Sequence, residues 1–393
     1  MNFVFVSLQR INTERESTST SIARELARQG HSVLFVNSPI DRKDFFIAPH
    51  DQFVLAHLHA IKSGKDSVQQ LSQNLWVLYP AQVMDSFNWV PFTFLFSELI
   101  RINNSRFADD IRLATQKLGF KDYILVNDKD IFRGFYLKEL LKPSRFVYLD
   151  RDNTVAMPYW RRHGSILEPV LMRKSDVVLC NSLDFTKRAL QYNANSFYIG
   201  NGFDAAQFSE PISSNIPDDL DHIPHPRIGY VGALITLRLD LVLLLELAKA
   251  RPQWSFVLIG REDNDFLKSE LHDLPNVFFL GYKHTVNVPQ YIANLDVCIN
   301  PQQLNEITRG NFPLKILEYL ALGKPIVATT TNTMLEVFYK HVYLASNKEE
   351  YLVQIENALN ENNEKIIQER LLFVKEFSWE NIVSKMIPIL NKN

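Results

Sequence analysis

Residues 310–330 read GNFPLKILEYLALGKPIVATT. Leu314, Leu317 and Leu320/Ala321 recur at helical spacing, and Gly323-Lys324-Pro325 stops that helix before a β-branched run. The stretch therefore predicts a helix feeding a strand. One carboxylate, Glu318, stands beside Leu317, Tyr319 and Leu320, where an unpartnered buried acid is costly. Glu318 is off the main apolar stripe, so it is either a solvent-facing residue of an amphipathic helix or a ligand contact. Pro313 suits the first helical position, because the N–H it lacks would be unpaired there anyway. Behind it, the N–H groups of Leu314 and Lys315 would form an anion site, or simply a capped helix start.

Outward from this stretch, the same alternation fills the chain. RIGYVGAL, WSFVLIG, NVFFLGY, LDVCINP and KPIVATT read as strands of the second half, with LDLVLLLELAKARP as a helix. In the first half NFVFVSL, HSVLFVNSP, YILVND, RFVYLD, DVVLCNS and NSFYIGNG read as strands. Between the first two, Ile22, Ala23, Leu26 and Ala27 form one helical face and Gly30 ends it. Strands alternating with helices predict mostly parallel sheets covered on both faces, and 393 residues exceed one ordinary core. Residues 203–226, rich in Pro, Ser and Asp, read as a linker. The expected fold class is α/β, with two doubly wound parallel-sheet, Rossmann-like domains facing a cleft, over 1–202 and 227–377.

The chain is 46% hydrophobic and 22% charged, a globular rather than disordered composition. No apolar run reaches the roughly 18 residues of a membrane span. The N-terminus lacks a basic leader and a cleavage site and reads as a first strand. Cys180 and Cys298 lie in apolar runs and are expected as buried thiols. Residues 1–200 carry 25 Lys and Arg against 20 Asp and Glu, while residues 201–393 carry 17 against 24. The basic half points to an anionic partner or surface, or to chance surface variation. No motif for a tightly held metal or a covalent nucleophile is present, and no nucleic acid partner is expected. His31 and His225 read as structural.

The order GYVGALITLRLD, WSFVLIG, NVFFLGY, YIANLDVCINP, GNFPLKILEYLALGKPIVAT and FSWENIVSKM resembles the nucleotide-binding domain of GT-B glycosyltransferases, most closely the GT4-like families. The resemblance covers about 228–392 and is weaker over 1–200. It implies that Glu318 binds the ribose hydroxyls of a sugar nucleotide, which suits an acceptor-only carboxylate. It implies that the turn at Gly232 and the cation at Arg238 meet the donor phosphates. Ala233 stands where the family carries a second cation, and pairing of Arg238 with Asp240 is the structural alternative. Asn311, Pro313, Leu314 and Lys315 complete the nucleotide side. The family pattern has another Glu eight residues before the ribose Glu, and Gly310 occupies that position here. Glu306 and Phe312 are then the candidates for the donor sugar, and Arg309 for offsetting diphosphate charge. The resemblance also implies that a C-terminal helix, 378–392, crosses back to the first domain, its apolar face carrying Trp379, Ile382, Val383, Met386 and Ile387.

In the first half, Asp150 and Asp152 of YLDRDN fall at the carboxyl end of a strand, where open α/β sheets put ligands. Either could orient or deprotonate an acceptor hydroxyl. The alternative is a structural carboxylate paired with Arg151 or Arg161. Arg10 and Arg15, in a segment without the GxGxxG fingerprint, are candidates to attract a phosphate-bearing acceptor. The aromatic run Ser86–Phe107 is either core packing or a membrane-surface contact.

The expected function is transfer of a sugar from a UDP- or GDP-sugar donor to the hydroxyl of a glycan or lipid-linked acceptor, in bacterial cell-surface polysaccharide or glycoconjugate synthesis. No tightly bound cofactor is expected, and the location expected is cytoplasmic, at the membrane periphery. The rival readings are a non-catalytic nucleotide-binding subunit and a nucleotide-sugar epimerase on the same fold.

Overall fold

The computed structural model describes residues 1–11, 17–47, 54–55, 57–59, 67–204, 208, 216–361 and 363–391. The chain divides into two compact units: Met1–Gly200 with Ile382–Asn393, and Asn201–Asn381.

Among the described residues, the first unit holds eight strands. They are β1 (Asn2–Ser7), β2 (Ser32–Val36), β3 (Val68–Ser72), β4 (Leu75–Leu78), β5 (Ile124–Asp128), β6 (Arg145–Asp150), β7 (Val177–Cys180) and β8 (Ser196–Tyr198). Their order is β3-β4-β2-β1-β5-β6-β7-β8, parallel except for the β3–β4 pair. Nearly every residue of β1, β2, β5, β6 and β7 is buried, which is why these runs are continuously apolar rather than alternating. The chain leaves β1 toward β2 and returns to β5 on the other side, so the strand order reverses between β1 and β5.

The second unit has six parallel strands among the described residues: β9 (Arg227–Val231), β10 (Ser255–Ile259), β11 (Val277–Phe279), β12 (Val297–Asn300), β13 (Ile326–Thr329) and β14 (Tyr343–Ala345). Their order is β11-β10-β9-β12-β13-β14. Val231, Cys298 and Ala328 pack into one core with the Leu314–Leu320 helix, whereas Ile228, Tyr230, Val297 and Ile299 pack into another across the sheet. Both cysteines are buried free thiols. Here the order reverses between β9 and β12. Ligands of open parallel sheets collect outside the carboxyl ends at such reversals.

Within 203–226, the described part is more ordered than its composition suggests. Leu220 and Ile223 are buried in the core of the second unit, and the Arg227 guanidinium donates to the carbonyls of Ile223 at 2.8 Å and Asp221 at 3.1 Å.

The last helix spans Trp379–Asn391 and buries Ile382, Val383, Met386 and Leu390. Leu390, rather than Ile387, completes the buried face. Within the first unit, Arg145 donates to the Leu390 carbonyl at 2.8 Å. Trp379 belongs to the second unit and lies over Gly202, where an added Cβ would be 2.5 Å from the indole.

Candidate active site

Four segments of the second unit meet at the carboxyl ends of β9 and β12. The Gly232 turn follows β9, and Arg238 follows on an exposed loop. That loop is fastened to the segment after β12. Gln303 N–H donates to the Arg238 carbonyl at 2.9 Å, the Asn305 amide donates to the Leu237 carbonyl at 2.9 Å, and Leu239 bridges Gln302. Asp240 caps the next helix by accepting the Leu243 N–H at 2.9 Å. No ion pair joins Asp240 to Arg238 among the described residues. The structural alternative for Arg238 therefore gives way to a cap.

The segment after β12 is a built loop. The Asn305 side-chain oxygen accepts the N–H groups of Ile307 and Thr308, and the buried Thr308 hydroxyl donates to the Gln303 carbonyl at 2.5 Å. Glu306 and Arg309 are exposed on it. Gly310 has φ of 75°, a left-handed conformation that a glutamate adopts at a cost. A glutamate placed at this position would therefore meet an unfavourable backbone. The Asn311 side-chain oxygen is enclosed with no hydrogen-bond partner among the described residues.

The helix Leu314–Leu320 follows. Pro313 precedes it in extended conformation, ψ 107°, and is the cap rather than the first helical residue. Its carbonyl accepts from Ile316 at 3.1 Å, which leaves the Leu314 and Lys315 amides leading the helix with no carbonyl one turn back. Gly323, φ 66°, ends the helix, and the Lys324 N–H returns to the Tyr319 carbonyl at 3.1 Å. The Lys324 ammonium donates to the carbonyls of Ala293 and Leu295. These bonds account for the Gly-Lys-Pro stop.

Glu318 is held by Lys315 at 2.7 Å, and its side chain is 18% exposed. It is neither an isolated buried acid nor a freely solvated one. Its neighbour Tyr319, fully buried, accepts the Val231 N–H on its hydroxyl at 2.9 Å. This bond fixes the helix to the end of β9 and so sets Glu318 beside the Gly232 turn. Tyr230 gathers the site: an added Cβ on Gly232 would lie 2.7 Å from its hydroxyl. Burial raises the pKa of that phenol, while the Arg238 cation lowers it and the Glu318 anion raises it. Tyr230, Tyr319, Asn305 and Thr308 were not singled out by motif. The signal for Tyr319 is a polar-tipped aromatic in an otherwise apolar face, which needs a partner when buried. Phe312 is buried against Phe338 and Phe377, so packing accounts for it rather than a donor-sugar contact.

In the first unit, Asp150 ends β6, fully buried. Lys129 Nζ is 2.7 Å from one of its oxygens, and Arg188 spans both at 2.9 and 2.8 Å. Glu168 balances the second positive charge, taking Lys129 at 2.5 Å and the Tyr148 hydroxyl at 2.7 Å. Burial favours protonation of Asp150, but Lys129 and Arg188 hold its pKa below the ordinary carboxylate value. The structure therefore corrects the reading of Asp150 as an acceptor-facing carboxylate, and corrects its expected partners, Arg151 and Arg161.

Asp152 differs. Its side chain is 50% exposed and pairs with Arg151 at 3.2 Å, the partner expected of a structural carboxylate, and its φ is 56°, left-handed backbone that Asp tolerates better than most residues. Both flanking residues are anchored. Arg151 grips buried Asp128 through two bonds of 2.6 and 3.0 Å, and Asn153 accepts from Arg188 at 3.3 Å. Asp128 also accepts the Ser7 hydroxyl at 2.6 Å, at the order reversal between β1 and β5. Nearby, a cavity of about 300 Å³ is lined by Arg10, Lys43, Asp85, Asn88, Arg133 and Tyr159 among others. Arg15 lies outside the described residues.

Among the described residues, no cluster of three His, Cys, Asp or Glu is placed to hold a metal ion, and no helix is long and apolar enough to cross a membrane.

The family model described as glycosyl transferases group 1 matches residues 225–366. A Bacillus subtilis protein assigned to teichuronic acid biosynthesis as the glycosyltransferase TuaH is 29% identical over 147 residues, 36% of this chain and 37% of that one. The chain thus matches little more than a third of that relative's length. Sucrose-phosphate synthase of Thermosynechococcus elongatus superposes with a TM-score of 0.67 at 15% identity, covering 99% of this chain and 98% of that one. Anabaena HepE in complex with UDP superposes with a TM-score of 0.64 at 17% identity, covering 99% and 98%. At such identities the likeness establishes the fold. The group 1 match falls within the second unit, over 225–366, and the fold along the whole chain is the one these solved glycosyltransferase structures share.

Proposed function

We propose that the protein is a GT4-like glycosyltransferase that moves a sugar from a nucleotide-sugar donor to an acceptor hydroxyl. The observation that carries this is the Tyr319–Val231 bond at the β9/β12 reversal, which ties the helix bearing Glu318 to the strand end that leads into the Gly232 turn and on to exposed Arg238. Glu318 accepts both ribose hydroxyls. Arg238, with hydrogen bonds from the Leu314 and Lys315 amides, takes the diphosphate, and Arg309 adds charge from its loop. Negative charge grows on that diphosphate as the sugar's anomeric C–O bond breaks and the bond to the acceptor oxygen forms. Electrostatic stabilisation there lowers the barrier most. The acceptor hydroxyl enters on the face that the diphosphate leaves and gives its proton to the departing diphosphate oxygen, while Asp152, half exposed and paired with Arg151 at 3.2 Å, orients that hydroxyl.

The reading extends to a UDP- or GDP-sugar donor, UDP being the ligand of HepE, and to retention of anomeric configuration as in the families it resembles. The first unit, with the final helix, takes the acceptor, and the second takes the donor. The acceptor is a glycan or lipid-linked sugar of cell-surface polysaccharide synthesis, the field of the TuaH relative, met in the cytoplasm at a membrane surface. The test is release of nucleoside diphosphate from UDP- and GDP-sugars with and without acceptor. Donor turnover that disappears in Arg238→Ala supports the reading; absence of turnover with every donor, despite nucleotide binding, would favour a non-catalytic nucleotide-binding subunit. Gly310 in place of the family's Glu is the observation that favours that second reading.

A further inference from the structure

The aromatic run Ser86–Phe107 divides sharply. Phe96, Ile100 and Phe107, on one face of the Thr93–Lys117 helix, are buried. Trp89, Phe92, Phe94 and Leu95 are not: Trp89 is 74% exposed, Phe94 66% and Phe92 59%. Four large apolar side chains within seven consecutive residues thus face solvent. Phe92 occupies the helix cap with no side-chain hydrogen bond, a position where Ser, Thr, Asp or Asn would stabilise the helix. The Trp89 indole N–H is already satisfied by the Ser86 carbonyl at 3.1 Å, so the ring presents apolar surface.

The patch is rigidly held beside a basic segment. Asn88 donates to the Tyr159 carbonyl at 2.8 Å, Thr93 Oγ1 lies 3.0 Å from His163 Nδ1, and Phe96 stacks on His163 at 4.0 Å. These bonds join the start of the Thr93–Lys117 helix to the helix Pro158–Lys174. The segment Met157–Arg162, MPYWRR, offers exposed Met157, Tyr159, Arg161 and Arg162 and no acid. Lys43 sits over the Tyr159 ring at 5.2 Å. Of the acids around the patch, Asp85 is matched by Arg42 at 2.6 Å and Arg106 at 3.0 Å, Asp41 lies 3.9 Å from Lys43, and Glu98 is exposed one turn into the helix, on which Arg101 is also exposed.

We propose that Trp89, Phe92, Phe94 and Leu95 insert into the interfacial layer of an anionic bilayer, with Arg161, Arg162 and Lys43 against its phosphate headgroups. Aromatic side chains settle at the headgroup level and cations add electrostatic attraction to anionic lipid. The segment Met157–Arg162 adds two exposed arginines and no acid of its own, which favours an anionic bilayer surface over an apolar protein face. The same loop, Ser86 to Asn88, with Tyr159, borders the 300 Å³ cavity. A lipid-linked acceptor could then keep its tail in the bilayer while its head enters the unit. The inference deepens the membrane-surface part of the proposed function and does not depend on the donor assignment.

The test is flotation of the full chain with phosphatidylcholine vesicles, with and without phosphatidylglycerol. The wild type should float with the anionic vesicles, less so as salt rises, and barely with neutral ones. The triple variant Trp89→Ser, Phe92→Ser, Phe94→Ser should lose about tenfold or more in vesicle affinity, with its unfolding temperature and UDP affinity unchanged. The pair Arg161→Glu, Arg162→Glu should lose the anionic preference and serves as the second arm if the triple variant misfolds. A wild type that floats with neither vesicle overturns the proposal, as does a triple variant that floats like wild type. Self-association without lipid that the triple variant abolishes, in a protein that binds no vesicles, would assign the patch to a second copy instead.

Discussion

The Tyr319 hydroxyl accepts the Val231 N–H at 2.9 Å across 88 residues of sequence. One bond therefore joins the helix that carries Glu318 to the strand end that carries the Gly232 turn. Tyr319→Phe removes the acceptor and leaves a buried N–H unpaired, at a cost of about 1–3 kcal/mol. Thermal unfolding should show that loss. Nucleotide affinity should fall as well, because Glu318 loses its fixed distance from the turn. A variant with lowered stability and unchanged affinity would limit Tyr319 to a structural role.

Arg238 is exposed on a loop that backbone bonds hold in place, so its charge is available without being structural. Arg238→Ala should leave stability nearly unchanged and lower kcat by about 100-fold, the scale of losing one transition-state donor, while donor KM changes less. Arg309→Ala should have a smaller effect on both. Steady-state kinetics with wild-type kcat in the Arg238 variant would count against the phosphate role.

The two carboxylates of YLDRDN should behave oppositely. Asp150→Asn leaves Lys129 and Arg188 with Glu168 as their one anion, and a buried positive charge uncompensated in this way costs about 3–5 kcal/mol. Asp152→Asn should cost little stability, since its charge is half solvated, and should lower transfer to acceptor more than donor hydrolysis. Urea unfolding beside an acceptor-dependence assay separates them.

Acid should unfold the first unit through Asp128 and Asp150. Burial favours their protonated forms, but Arg151 on the one, and Lys129 with Arg188 on the other, hold both pKa values below the ordinary value. Groups depressed in this way contribute stability in full above the unfolded-state value of about 4 and lose it as pH falls through the lower folded values. Unfolding free energy should therefore be flat from neutral pH down to about 5 as far as these two groups are concerned, and decline below about 4. Replacing Asp128 by Asn should flatten the acid slope; an unaltered slope would remove Asp128 from the account.

Periodicity made the two sheets legible, since parallel strands buried on both faces are continuous apolar runs and the helices between them show one apolar face. Glu318 was legible because a lone acid breaks such a face, and Gly323 because a left-handed stop precedes a proline. What was hidden depends on distance along the chain. The partners of Asp150 lie 21 residues away at Lys129 and 38 away at Arg188, and nothing local to Lys129, flanked by Asp128 and Asp130, marks it as a buried cation. The Tyr319 bond is hidden for the same reason. In SFNWVPFTFLF the helical part carries a period that marks Phe96 as core, but residues before the helix carry none, so the exposure of Trp89 and Phe92 had no sequence signature.

The central claim is that Glu318 grips the ribose of a nucleoside diphosphate. The most direct measurement is a calorimetric cycle that pairs UDP and its 2′,3′-dideoxy analogue with the wild type and Glu318→Ala, repeated with guanine if uracil does not bind. Removing the ribose hydroxyls should weaken binding to the wild type by about 1.5–3 kcal/mol, the range for hydrogen bonds to a charged group, and should scarcely affect the variant. An equal loss in both proteins would mean that the hydroxyls meet some other group, and would contradict the account.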